Sequence, residues 1–166
     1  MSSIRWFNNL KLILAVMPLL FLSLTPTPIV SEELNKIVGR EDCKFIFPPE
    51  WQDRTVVWDG GCQNGKAHGQ GVLRAYKDGL STLLFLGNLE YGEISLGVID
   101  CDDGYIAGQF SHGELLPDLD RNVVINAFRN AAAAAKTYSK RLERLGNQES
   151  ASFYLKKADE LEHQLD

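Results

Sequence analysis

The chain is poor in the residues that carry common chemistries. Of its 166 residues only three are cysteine and three are histidine. No CxxC pair occurs, and no cysteine lies near a histidine at zinc-ligand spacing, which excludes the usual zinc frameworks. His68 and His112 fall in turn regions and have no neighbouring ligand at useful spacing. There is no P-loop and no G-x-S-x-G elbow. Asp100, Asp102 and Asp103 crowd before Gly104, but their register breaks the pattern of an EF-hand loop. The expectation is therefore no catalytic residue, no metal ligand and no cofactor. Basic charge is also scarce. Seventeen Lys and Arg stand against 22 Asp and Glu, for a net charge of −5. A general nucleic-acid binder needs a basic footprint, so that class is excluded. No Lys/Arg block is long enough for a polybasic lipid-binding tail.

What is present begins with apolar residues. They make up 45% of the chain, enough for a packed core and too many for global disorder. Arg5 and Lys11 precede the uncharged run Leu12 to Leu24. Thirteen apolar-dominated residues suit a signal-peptide core and are short for a spanning helix. Pro18 interrupts the run. Residues 1–31 are thus expected to be a signal peptide, giving a periplasmic or secreted protein. If they are not cleaved, the 19 uncharged residues Leu12 to Val30 would anchor it in the inner membrane.

Glycine organises the middle of the chain. Twelve of 14 glycines lie from Gly60 to Gly113. Three segments align: WDGGCQNG from Trp58, FLGNLEYG from Phe85 and IAGQFSHG from Ile106. In each, an aromatic or aliphatic residue opens a strand and an x-G pair makes a turn, because glycine tolerates positive φ. Lys77-Asp78-Gly79 and Asp102-Asp103-Gly104 turn the chain again. Such short units must stack to share a core. The aromatics Trp51, Trp58, Phe85, Tyr91 and Tyr105 recur near the strand starts. They are either the shared core or a candidate binding face, a groove for an extended partner or a glycan.

The string VVWDGGCQNGKAHGQGVLRAYKDG resembles a MORN repeat: an aromatic, x-G, a hydrophobic, x-N-G, then G-x-G and an aromatic before the next glycine. Residues 42–79 resemble the first unit of exported bacterial MORN-like proteins. The pattern is degenerate over 85–116, where Tyr91-Gly92 replaces the N-G turn and Ser95 stands where the first glycine of G-x-G would be. The resemblance implies a binding, scaffolding or membrane-associating role without naming a ligand. It also bears on Cys43, Cys62 and Cys101, which allow three disulfide pairings. Exported MORN-like proteins carry a cysteine before the first Trp-x-G, which favours Cys43–Cys62. The alignment adds that Cys62 occupies the position of Leu89 and Phe110, so it should point to the core, and that Pro48-Pro49 can fold Cys43 back onto the first hairpin.

After Pro117-Asp118, apolar residues fall at 124, 128, 131, 135, 138, 142 and 145, a 4-3 alternation that predicts a helix packed on another helix. Gly146-Asn147 is a C-cap signal. Ala151, Tyr154, Ala158, Leu161 and Leu165 repeat the seam on a second helix. The pair is expected either to cap an end or edge of the ribbon or to dock on a partner helix.

The whole sequence thus predicts an α+β chain. Residues 1–31 form the export or anchor segment, 32–54 a leading segment, 55–116 a short stacked antiparallel β-hairpin ribbon, and 117–166 a helical hairpin. The expected function is a non-enzymatic binding or scaffold module of the bacterial cell envelope. Its partner would be another envelope protein, with membrane association as a further option. The alternative is an envelope enzyme, or enzyme accessory, acting on glycan or lipid through the aromatic face.

Overall fold

The structure, a computed structural model, describes residues 36–165, without the side chain of Leu165. The expected export segment lies outside the described residues, as does the seam position of the Leu165 side chain. The architecture is α+β: a sheet of largely antiparallel strands followed by two helices.

The strands are β1 (Ile37–Arg40), β2 (Cys43–Ile46), β3 (Thr55–Gln63), β4 (Lys66–Lys77), β5 (Leu80–Glu90), β6 (Glu93–Cys101), β7 (Gly104–Ser111) and β8 (Glu114–Leu115). From β3 to β8 each strand pairs antiparallel with the next. The three aligned segments become the hairpins β3–β4, β5–β6 and β7–β8. Their turns are Asn64-Gly65, Tyr91-Gly92 and His112-Gly113, and all six residues have positive φ. Asparagine suits that conformation, and histidine is enriched in it; Tyr91 adopts it without the same help. The turn geometry therefore survives where the sequence pattern decays.

A row of glycines crosses five strands in register: Gly60, Gly71, Gly87, Gly97 and Gly108. A Cβ on Gly71 would lie 2.5 Å from the Trp58 ring, and one on Gly97 would lie 2.8 Å from the tip of Phe85. The row lets large rings lie flat on the strands. This is the physical reason for the repeated glycine.

The leading segment is built into the sheet. β2 runs across the hairpin turns like a strap: Lys44 N–H donates to Gly65 O at 2.9 Å and Ile46 N–H to Gly92 O at 2.7 Å. Pro48 and Pro49 then pack on Gly113. Cys43, Phe45, Phe47 and Trp51 are buried with Trp58, Leu73, Phe85, Leu89, Ile99 and Phe110, forming one core on one face of the sheet. Cys43 and Cys62 are disulfide-bonded with Cα atoms 5.3 Å apart, inside the usual range. Cys62 does not point to the core as expected. It is exposed, unlike its aligned residues Leu89 and Phe110, because it stands near the open end of β3, which among the described residues pairs with β4 alone. Cys43 is the buried partner.

The other face carries α1 (Arg121–Arg144) and α2 (Gln148–Glu162). The Asp120 side chain caps α1 by accepting from Asn122 N–H at 2.7 Å. A Schellman-type end follows: Gly146 N–H donates to Glu143 O and Asn147 N–H to Leu142 O. Asn147 then caps α2. Ala131, Ala132, Ala134 and Ala135 leave room for α1 to press on Val72, Leu84, Leu86 and Val98, and the same core takes in Tyr138 and Leu142 of α1 with Ala151, Tyr154, Ala158 and Leu161 of α2. The hairpin thus covers a face of the sheet, not an end or edge. Leu145, expected in the seam, is exposed because it is the C-cap residue where the helix ends.

Candidate functional site

The five aromatics proposed as a binding face are not brought together. Trp51, Trp58 and Phe85 are buried in the core beneath the strap. Tyr105 lies on the opposite face, edge-on to Phe128. Tyr91 is 73% exposed, because a turn residue with positive φ throws its side chain outward, and its ring lies edge-on to His68. Strand alternation separates the set: Phe85 and Tyr105 sit at positions of opposite facing in adjoining hairpins.

A different group of residues lines a cleft of about 820 Å³. It opens where the helix–helix turn overhangs the ends of β4, β5 and β6. Tyr76, Leu84, Tyr138, Phe153 and Tyr154 give it an apolar wall, and Arg74 lies on its floor. Asp100, Cys101 and Asp102 border it from the sheet, and Asn147, Glu149 and Ser150 from the start of α2.

The floor is an ion network that ties sheet to helix. Asp59 accepts hydrogen bonds from Arg74, from Arg141 Nη2 at 2.7 Å and from the Tyr138 hydroxyl at 3.1 Å. The Arg74 guanidinium also lies over the rings of Tyr76 and Tyr138, with centroids at 5.8 and 5.6 Å. Arg74 Nε is buried without a partner. On the opposite flank Lys157 Nζ contacts Asp100 and Glu160, each at 2.9 Å, and donates to the Tyr105 hydroxyl at 3.3 Å.

Between the flanks the aromatics pack edge to face. Ring centroids are 4.6 Å apart for Tyr138 and Tyr154, and 5.0 Å for Phe153 and Tyr154. Burial pushes the Tyr154 hydroxyl well above the ordinary tyrosine range. Burial, then the Asp59 carboxylate, does the same for Tyr138. Both remain neutral hydrogen-bonding groups at physiological pH.

Cys101 is a free, half-buried thiol whose Sγ approaches Gly104 O at 3.2 Å. His68 is not in a turn as expected but lies within β4, just past the Asn64-Gly65 turn, whereas His112 lies in the β7–β8 turn and faces Glu93 at 3.4 Å. Asp100 is held by Lys157, while Asp102 and Asp103 occupy the β6–β7 turn. Among the described residues no group of three His, Cys, Asp or Glu side chains is placed to hold a metal ion.

Sequence reasoning named Tyr138 and Tyr154 only as helix-seam residues and missed Arg74 and Asp59. Parity was the available signal. If Trp58 and Leu73 point to one core, Asp59 and Arg74 must point to the other face, among Val72, Leu84 and Leu86. Charges facing an apolar surface require a partner, and the helix supplies it. Comparison with protein-family models, curated proteins and solved structures found no match for this chain.

Proposed function

We propose that the protein is a non-enzymatic, MORN-like binding module of the cell envelope that engages another envelope protein at the cleft between sheet and helical hairpin. One observation carries this reading. Trp51, Trp58, Phe85 and Tyr105 are taken up in the packed cores and Tyr91 stands alone at a turn, while the cleft combines aromatic walls with a few fixed polar groups, the usual make-up of a binding pocket. Its deep charges are held by one another: Asp59 by two arginines and Asp100 by Lys157. Such groups shape and rigidify a surface rather than exchange protons. The Cys43–Cys62 bond supports export, because disulfides persist in oxidising compartments.

The test is site-specific photo-crosslinking in cells. A photoreactive residue in place of the exposed Phe153 should give a discrete adduct with one envelope protein. The same residue at the exposed Ile37 should not. No adduct at position 153, or the same adduct from both positions, overturns the cleft as the contact surface. Residues 1–35 fused to a reporter active only outside the cytoplasm should give activity; retention in the cytoplasm would remove the envelope assignment.

A further inference from the structure

The charges at the cleft that have no partner in the fold differ in sign from the one on its floor. Arg74 is engaged by Asp59, stacked against two tyrosines, and its Nε lies out of solvent reach. Asp100 is engaged by Lys157. Two lining carboxylates remain, Asp102 on the β6–β7 turn and Glu149 in the first turn of α2, both exposed and without an ion-pair partner among the described residues. They stand on opposite jaws, one on the sheet and one on the helical hairpin. Beside them Phe153, 54% exposed, offers an apolar surface.

A second feature points independently to a ligand. Tyr154 is only 6% exposed, lines the cleft, and its hydroxyl has no hydrogen-bond partner among the described residues. Although the ring is buried, the hydroxyl oxygen reaches the open space of the cleft, where it can accept from a peptide N–H or donate to a peptide carbonyl.

We infer that the cleft receives a basic segment of the partner protein. A lysine or arginine lays its aliphatic stem along Phe153 and Tyr154 and sets its cationic head between Asp102 and Glu149. Long basic side chains bury their stems on apolar surface while the head stays near water, which fits apolar walls behind an acidic mouth. The aromatic rings add cation–π attraction. The Tyr154 hydroxyl hydrogen-bonds the backbone of the same segment. The inference rests on the protein-binding reading and adds the chemistry of the segment bound.

Cys101 makes the site testable, because it is the free thiol bordering the cleft while the other two cysteines are disulfide-bonded. The probe is a capped pentapeptide alternating leucine with arginine and lysine; its comparison carries glutamate in place of the basic residues. The basic peptide should bind the intact protein by calorimetry, more weakly as salt rises. Saturation should slow maleimide labelling of Cys101 several-fold. Asp102→Asn with Glu149→Gln should weaken binding at least tenfold. Tyr154→Phe, which keeps the ring, should weaken it several-fold, and equal urea midpoints for the variants and parent would show an intact fold. No binding of the basic peptide at millimolar concentration, equal or tighter binding of the acidic peptide, unchanged affinity in the double variant, or binding that leaves Cys101 labelling unaltered each overturns the inference. A crosslinked partner at position 153 that is insensitive to the double variant would refute the charge assignment and leave the binding role standing.

Discussion

At Gly97 a single hydrogen decides whether two strands can pair. A Cβ there would lie 2.3 Å from Leu86 O and 2.8 Å from Gly87 Cα, both backbone atoms that cannot swing aside. Gly97→Ala should therefore destabilise by about 1–3 kcal/mol, the usual range for an overpacked core. Gly79→Asn, at an open turn where φ is 80° and nothing lies within 4 Å, should lower the urea midpoint much less, because it meets backbone strain alone and asparagine tolerates positive φ better than most residues. Lys157 governs a different response. Burial alone would lower its pKa, but hydrogen bonds to Glu160, Asp100 and Tyr105 outweigh burial and hold it above the ordinary lysine range. A raised folded pKa gives stability that is complete below the unfolded value of about 10.4 and lost as pH rises through the folded value. Glu160 is held below the ordinary carboxylate range chiefly by its hydrogen bond to Lys157. Its contribution is present above about pH 4.3 and lost as pH falls through the folded value. Lys157→Met should remove both dependences, lowering stability at neutral pH and flattening both limbs of a urea-midpoint profile. An unchanged profile would mean that the ion pairs do not hold in solution.

The strap and the helical hairpin are elements whose roles differ from their place in the sequence. Residues 43–51 precede the repeats, yet they pack across the three turns and seal the aromatic core. The Cys43–Cys62 bond fastens the start of that strap to the end of β3 across a separation of 19 residues. A loop of this size is worth about 3 kcal/mol by chain-entropy arithmetic. Cys62→Ser should lower stability by roughly that amount and raise amide exchange first in β1 and β2, measured by hydrogen–deuterium exchange. Exchange that rises equally in β5 and β6 would show that the strap does not open by itself. The helices were recognisable as a pair from their 4-3 spacing, but the spacing described only half of the contact. α1 buries two sides, one against α2 and one against the sheet, which is why the alanine run extends beyond the seam.

Across residues 36–165 the sheet lies between two dissimilar coverings, a strap on one face and helices on the other. Deleting residues 118–166 would uncover Val72, Leu84, Leu86 and Val98 and leave Asp59 and Arg74 without Tyr138 and Arg141. An apolar face of that kind drives association. The truncated protein should aggregate or bind a hydrophobic dye; light scattering identical to that of the intact monomer would show that the sheet stands without the hairpin.

Much of the secondary structure was legible because it depends on neighbours in the chain. Glycine at each turn, alternation along each strand, and the spacing and caps of the helices are local requirements met by local residues. The repeats marked the hairpins, and the Cys43–Cys62 pair was anticipated, although the burial assigned to Cys62 was wrong. Facing and docking were not legible. Alternation separates Trp58 from Asp59 and Phe85 from Leu86, but it does not say which face a strap will close and which a helix will cover. That choice follows from contacts between residues far apart in sequence, such as Asp59 with Arg141 and Phe45 with Phe85 within one core. The cleft depends on it completely. It exists because the helical hairpin and the sheet diverge beyond Tyr138 and Tyr154, and only the packing of the folded chain determines where two elements part.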